Sequence, residues 1–343
     1  VSAYVLPLRW TDPGPIEELA AYLQGISSEV DEILVVDGSP QPFYDRHASA
    51  LAGTARHLPP HRDLSFPMGK VNGVITGVRE CESESIVIAD DDVRYDRRSL
   101  RRTLALLAEA DLVRPQNYFD ELPWHARWDT ARSLLNRVFT GDPVFPVGDF
   151  PGTLAVRRDA FLRSGAYDGN ALFENLELMR TIRAAGGAVA SPLDLYVARR
   201  PPSAAHFFSQ RVRQAYDDFA IPARFAAFLA LPPVAAELLR RGRGHWLIAA
   251  ALASVLAAEL GRRRADGGQY FPRSGALLAP AWIAERSLCC WLALAERRAG
   301  GVRYGSRRLP HAATSMRRLE RGYSASVGGS SANPLSARKP IAL

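Results

Sequence analysis

The sequence predicts an α/β fold, a mostly parallel sheet with helices on both faces, followed by apolar C-terminal helices. Three observations carry this expectation. Short apolar runs of strand length alternate with amphipathic runs through the first half of the 343 residues, as happens when crossover helices join parallel strands. Two of those runs end in carboxylates, at Asp37 and at Asp90-Asp91-Asp92, and the carboxyl ends of strands are where ligands collect in such sheets. Beyond Arg200 the alternation stops and three long apolar stretches follow, separated by arginines.

Residues 3–8 (AYVLPL) read as a buried strand, and residues 15–24 as a helix opened by a proline, which suits a first helical turn. Residues 32–36 (EILVV) are the next strand, 44–55 a second helix and 69–78 a third. The apolar run 85–89 (SIVIA) leads straight into the three aspartates, and 99–110 is amphipathic at helical spacing. A strand at 112–115, a helix at 124–139, a Gly/Pro-rich loop at 148–152 and a strand at 153–156 follow. Residues 174–185 form a helix that ends at Gly186-Gly187, as a C-cap should, and a strand near 193–198 closes the sheet.

The apolar stretches cover 219–239, 245–260 and 276–295, and each is compromised as a full span of about 20 apolar residues. The first holds Arg224, Pro232, Pro233 and Glu237, the second is short, and the third holds Glu285 and Arg286. Inserted, re-entrant and interfacial helices and a soluble helical hairpin all stay open. The tail from Gly322 is rich in Ser and Gly and reads as disordered. The expected division is a catalytic domain at 1–200, interfacial or linker helices at 201–243, membrane-associated helices at 244–300 and a basic tail at 301–343.

A composition 47% apolar and 23% charged, with mean hydropathy −0.11, excludes general disorder. The net charge of +7 is divided unevenly: residues 1–195 hold 20 basic and 28 acidic residues, residues 196–343 hold 23 and 8. An acidic half suits metal and small-substrate chemistry, and a basic half interleaved with apolar stretches suits anionic lipid headgroups. No nucleic-acid-binding signature accompanies the basic half, so no nucleic-acid partner is expected. Of the 43 basic residues 41 are arginine, so no single exposed arginine is read as functional. Cys81, Cys289 and Cys290 cannot build a disulfide framework, which points to a reducing compartment. No targeting segment is read at the start of the sequence, so a cytoplasmic location is expected.

Three adjacent carboxylates at the end of an apolar strand repel one another unless a cation compensates them. Asp90 and Asp92 flank one residue and can approach a hard divalent cation together, Mn²⁺ or Mg²⁺, which keeps positions open for phosphate oxygens. Asp37-Gly38-Ser39 sits at a strand end in the same way and suits a base or ribose, although the tripeptide is also an ordinary turn. No nucleophile elbow is present.

The ordered run Val5-Leu6-Pro7, Val35-Val36-Asp37-Gly38-Ser39, Gly69-Lys70-Val71-Asn72-Gly73 and Ile88-Ala89-Asp90-Asp91-Asp92 resembles the nucleotide-sugar-binding half of family 2 glycosyltransferases of the GT-A type. Residues 148–156 with Arg157 and Arg158 resemble that family's acceptor-side strand. The run Phe173-Glu174-Asn175-Leu176-Glu177-Leu178 resembles its Glu-Asp helix. The resemblance implies a metal-dependent transferase, inverting, with Asp90 and Asp92 on the metal. Pro7, Asp37, Lys70, Asn72, Asp90 and Asp91 would then belong to the donor site. The family's catalytic aspartate is replaced by Asn175, and an amide is no general base. Glu174, Glu177 one turn on, and Asp149 are the candidate bases. Gln210-Arg211-Val212-Arg213-Gln214 resembles the Gln-x-x-Arg-Trp element of membrane-bound, ceramide glucosyltransferase-like members, with Gln214 where the tryptophan stands. On that resemblance Gln210 and Arg213 lie near the donor diphosphate, the partners are a nucleotide-sugar and a lipid or lipid-linked acceptor, and the enzyme works at the cytoplasmic face of the cell membrane. The rival expectations are a soluble transferase acting on a small metabolite or protein, and a silent sugar-nucleotide-binding protein.

Overall fold

Seven strands form the central sheet: β1 (Ser2–Leu8), β2 (Glu32–Asp37), β3 (Arg56–Leu58), β4 (Ser85–Ala89), β5 (Leu112–Val113), β6 (Thr153–Arg157) and β7 (Val189–Ala190). This computed structural model describes residues 1–140, 152–165, 167–305 and 307–328. The spatial order is β3-β2-β1-β4-β6-β5-β7. Only β6 runs against its two neighbours, β4 and β5, and every other pairing is parallel. The expected α/β class with a mostly parallel sheet is therefore what the chain adopts. β1, β2 and β4 are near-continuous apolar runs because they are covered on both faces, and Tyr4, Val5, Leu6, Leu34, Val35, Ile86 and Val87 are fully buried. Leu8 pairs with Asp37 and Val5 with Ile88, so these three strands finish at one edge, which receives Asp37 and Asp90.

The helices are α1 (Ile16–Ile26), α2 (Phe43–Leu51), α3 (Gly69–Glu80), α4 (Arg97–Leu106), α5 (Trp124–Phe139), α6 (Arg158–Arg163), α7 (Glu174–Ala184), α8 (Ala204–Tyr216), α9 (Pro222–Arg240), α10 (His245–Arg263), α11 (Arg273–Leu277), α12 (Ala279–Arg298) and α13 (Met316–Gly328). α3 lies close on β1 because its contact face carries glycine. A Cβ on Gly73 would fall 2.7 Å from the Pro7 Cβ, and one on Gly77 2.4 Å from a Val5 methyl. That approach sets the first turn of α3, with Lys70, at the strand ends. α4 starts from a reciprocal cap in which Asp96 accepts from the Ser99 N–H and Ser99 accepts from the Asp96 N–H.

Two compact units divide the chain. One comprises Val1–Pro115, Pro151–Val197 and Ala313–Leu343, the other Gln116–Phe150 and Ala198–Ala312. In the second unit α5 packs against α10, α11 and α12, and α12 packs against α8 and α9. Its interior is charged as well as apolar. Buried Arg211 bonds Asp129 at 2.9 Å and Glu285 at 2.5 Å, and Arg286 lies 3.7 Å from Asp218. Glu285 and Arg286, which interrupt the third apolar stretch, thus find buried partners within the unit.

Several local expectations are corrected. The strand expected at 193–198 forms at Tyr196–Arg199 but belongs to a separate three-stranded sheet, and the edge of the seven-stranded sheet is β7 at 189–190, whose two residues are too few to show alternation. β3 is half-exposed and carries Arg56 and His57, so its sequence has no apolar signature. α2 stops at Leu51, just before Gly53 at φ +77°. α9 runs unbroken through Pro232 and Pro233. The tail is helical from Met316 to Gly328, so its first residues after Gly322 are ordered into a helix. Among the described residues one helix, α9, is long and apolar enough to cross a membrane, with mean hydropathy 1.3.

Candidate active site at the carboxyl edge of the sheet

Lys70 is the centre of the site. Its Nζ lies 2.5 Å from Asp90 Oδ1 and 2.8 Å from Glu174 Oε1. The three side chains are 15%, 27% and 14% exposed, so they are reachable from solvent yet largely enclosed. α3 brings the lysine, the turn after β4 brings Asp90, and the first turn of α7 brings Glu174. Burial alone lowers an ammonium's pKa, but here Asp90 and Glu174 outweigh it and hold Lys70 above its ordinary value. The turn itself is fixed by the Asp90 N–H donating to Gly152 O at 2.8 Å and the Val93 N–H to Asp90 O at 3.1 Å. Asp91 accepts from the Trp10 indole N–H, and Arg94 donates to its carbonyl at 2.7 Å.

Asp37 is held from inside. His47 Nδ1 lies 2.7 Å and His57 Nε2 3.0 Å from its Oδ2, and the Ser39 N–H donates to its Oδ1 at 2.8 Å. Burial would raise this carboxyl's pKa, yet the bonds from His57, Ser39 and His47 prevail and bring it to about 2, below its ordinary 3.8. A depressed pKa stabilises the fold above the unfolded value and ceases to do so as pH falls through the folded one. Asp37→Asn should therefore cost about 2 kcal/mol at neutral pH. In urea unfolding the difference from the parent chain should close as pH falls from about 4 towards 2. An unchanged gap across that range would mean that the histidines do not depress the carboxyl.

Pro7 lies on β1 against Gly73. Asn72 exchanges two bonds of 3.1 Å with the backbone of Phe66, so its amide closes the loop that leads into α3. Glu177 is fully buried and accepts the Thr314 N–H at 2.6 Å, while Arg180 donates to Thr314 O at 2.9 Å. Its carboxylate ties α7 to the chain before α13 and is shut off from solvent, unlike that of Glu174. Asp149 lies outside the described residues. Gln210 and Arg213 belong to the second unit, on α8. In that unit Trp128 donates to Glu285 at 3.0 Å and His125 bonds Pro202 O at 2.7 Å, which gives both structural work.

Asp90 and Asp92 are hard oxygen donors on one turn. Among the described residues no group of three or more His, Cys, Asp and Glu side chains is placed to hold a metal. Two carboxylates fit Mg²⁺ or Mn²⁺ bound with phosphate and water oxygens, since such ions commonly take only one or two carboxylates. Reading the sequence missed Trp10, His47 and His57, which buttress Asp91 and Asp37. It also missed Tyr167, a buried tyrosine within electrostatic reach of Lys70, Glu174 and Asp90, whose pKa burial raises. No local spacing marks any of these four.

No family model and no curated protein matches the chain. Solved structures do. A mannosyltransferase from Pyrobaculum calidifontis in complex with GDP-Man and Mn²⁺ is 19% identical, with 84% of this chain and 86% of that one covered and a TM-score of 0.48. Glucosyl-3-phosphoglycerate synthase from Mycobacterium tuberculosis, in complex with Mn²⁺, UDP and glucosyl-3-phosphoglycerate, is 16% identical over 60% of this chain and 74% of that one, TM-score 0.42. Mannosyl-3-phosphoglycerate synthase from Rubrobacter xylanophilus is 16% identical over 71% and 75%, TM-score 0.42.

Proposed function

We propose that this chain is a metal-dependent glycosyltransferase of the family 2, GT-A kind, which moves a sugar from a nucleotide-sugar to an acceptor hydroxyl with inversion. The observation that carries the reading is the Lys70 bridge from Asp90, in the Asp-x-Asp turn at the strand end, to Glu174 on the helix that resembles the family's base helix. Asp90 and Asp92 would hold the cation. Mn²⁺ or Mg²⁺, when bound, supplies positive charge where the departing nucleoside diphosphate develops negative charge. Asp37, fixed by two histidines, and the lack of a side chain at Gly38 suit the nucleoside side of the donor. Lys70 orients the two carboxylates and keeps their charges compensated. Glu174 takes the proton from the acceptor hydroxyl as the sugar transfers, since Asn175 cannot.

Attachment to the cytoplasmic face of a membrane and a lipid or lipid-linked acceptor complete the proposal. Ile248, Leu252, Leu256 and Leu260 recur every fourth residue along one face of α10 and are each more than 60% exposed, a continuous apolar stripe of the kind that marks an interaction surface. The excess of basic over acidic residues beyond residue 196 suits an anionic leaflet.

The test is Mn²⁺-dependent binding of UDP and GDP to the detergent-purified full chain, beside Asp92→Asn. Binding that needs the metal and drops at least about a hundredfold in the variant supports the donor site and names the nucleotide. A folded chain that binds neither nucleotide overturns the reading. Fractionation of the same chain without detergent reports on attachment: recovery in the membrane pellet supports it, and recovery in the supernatant favours the soluble rival.

A further inference from the structure

A second site lies wholly within the second unit. α8, the end of α12 and the hairpin of β8 (Val302–Tyr304) and β9 (Arg307–Leu309) border a cleft of about 480 Å³. Its walls include Gln210, Arg213, Leu292, Glu296, Arg303 and Tyr304.

The lining of this cleft carries net positive charge. Many arginines there are engaged by carboxylates: Arg211 by Asp129 and Glu285, Arg224 by Asp218, Arg262 by Glu259, and Arg308 by Glu296. Arg213 and Arg303 form no ion pair among the described residues. Glu296 is the one acidic residue of the wall, and Arg308 already pairs with it at 2.6 Å. Arg213 is also held in orientation. Its Nη1 donates to Gln210 Oε1 at 3.1 Å, and its guanidinium carbon lies 4.8 Å from the centre of the Tyr304 ring. A fixed guanidinium fork with a second arginine in the lining of the same cleft matches the oxygens of a phosphate.

One side of the cleft is apolar. Leu292 lines it and Leu288, one helical turn away, continues the same face of α12, and the two are 54% and 61% exposed. A phosphate without an apolar tail would leave this strip in water. We propose that the cleft binds the phosphate headgroup of an anionic amphiphile, with the hydrocarbon chain lying along Leu288 and Leu292. This gives Arg213 a ligand other than the donor diphosphate. Binding there does not depend on sugar transfer, and a chain that transferred nothing would show it equally.

Flotation of the full chain with phosphatidylcholine vesicles, with and without phosphatidic acid, tests the assignment. Arg213→Gln/Arg303→Gln should weaken binding to the phosphatidic acid vesicles at least about tenfold, because charge-assisted bonds to phosphate are each worth that order. Arg317→Gln/Arg318→Gln removes the same charge from exposed positions on α13 and should have a much smaller effect. Arg213→Lys/Arg303→Lys keeps the charge and loses the fork, so an intermediate affinity is expected, and it serves where the glutamine pair melts early. Inorganic phosphate that displaces the chain more than chloride at equal ionic strength identifies the headgroup as the part recognised. No such displacement, with the arginine effect intact, assigns recognition to the whole lipid, and Leu292→Glu should then abolish it. Equal weakening by the two glutamine pairs, at matched melting temperature, would show diffuse electrostatics and overturn the site.

Discussion

Glu174→Gln should lower sugar transfer by about a hundredfold to ten-thousandfold, the usual worth of a positioned general base, while metal-dependent nucleotide binding stays within about threefold. The glutamine keeps the shape of the side chain, and its carbonyl oxygen can still accept from Lys70 Nζ, now 2.8 Å from the carboxylate. What disappears is the capacity to hold a proton. Release of UDP or GDP from UDP-glucose or GDP-mannose, with a lipid extract as acceptor, gives the turnover number. Nucleotide titration gives the binding arm. A variant that turns over normally would remove Glu174 from the mechanism.

Asn175→Asp belongs to the same experiment. Asn175 is 6% exposed, so a carboxylate there is costly to bury, and no gain in turnover is expected. A clear gain would mean that the base position of the family has been vacated in this chain. The parent would then be the silent binding protein that Asn175 also suits.

The parts of the site that were legible in the sequence are those that one segment carries by itself. SIVIA followed by three aspartates announces a buried strand with carboxylates at its end, and the structure places Ser85–Ala89 and Asp90 accordingly. The α7 start at Glu174 and the α5 span Trp124–Phe139 were equally plain, because amphipathic spacing and caps are local. Pairings across the fold leave no such trace. Nothing around His47 or His57 says that both reach Asp37, and nothing around Glu177 says that it holds Thr314. The helical hydrophobic pattern of α5 reports that the helix buries a face, not which layer receives it. Its grouping with α10, α11 and α12 in a unit apart from the sheet therefore appears only in the structure. The apolar stretches were ambiguous for a related reason. Glu285 and Arg286 spoil a lipid-facing helix, but only the positions of Arg211 and Asp218 show that the two charges meet buried partners inside protein.

The second large effect concerns Lys70. Removing one partner from a largely buried charge cluster leaves the other charges uncompensated and typically costs about 3 kcal/mol or more. Lys70→Met leaves Asp90 and Glu174 facing one another without the ammonium that now lies within 2.8 Å of both. The variant should lose about 3 kcal/mol in urea unfolding at neutral pH and all detectable metal-dependent nucleotide binding. In the parent chain the lysine's pKa is raised, so its contribution is present at neutral pH and, on the alkaline side, fades only in strong alkali. In the variant the repulsion is between carboxylates, so acidification that protonates one of them should return part of the stability. Lys70→Met/Glu174→Gln separates the two roles. Taking away one of the facing charges should restore most of the stability lost in the single variant, because residues in one ionic cluster are strongly non-additive. It should restore no transfer, since the proton acceptor is gone as well. A single variant as stable as the parent would show that the lysine does not compensate the pair. A double variant no more stable than the single would place the cost of losing Lys70 in the packing of its side chain instead of in the charge it carries.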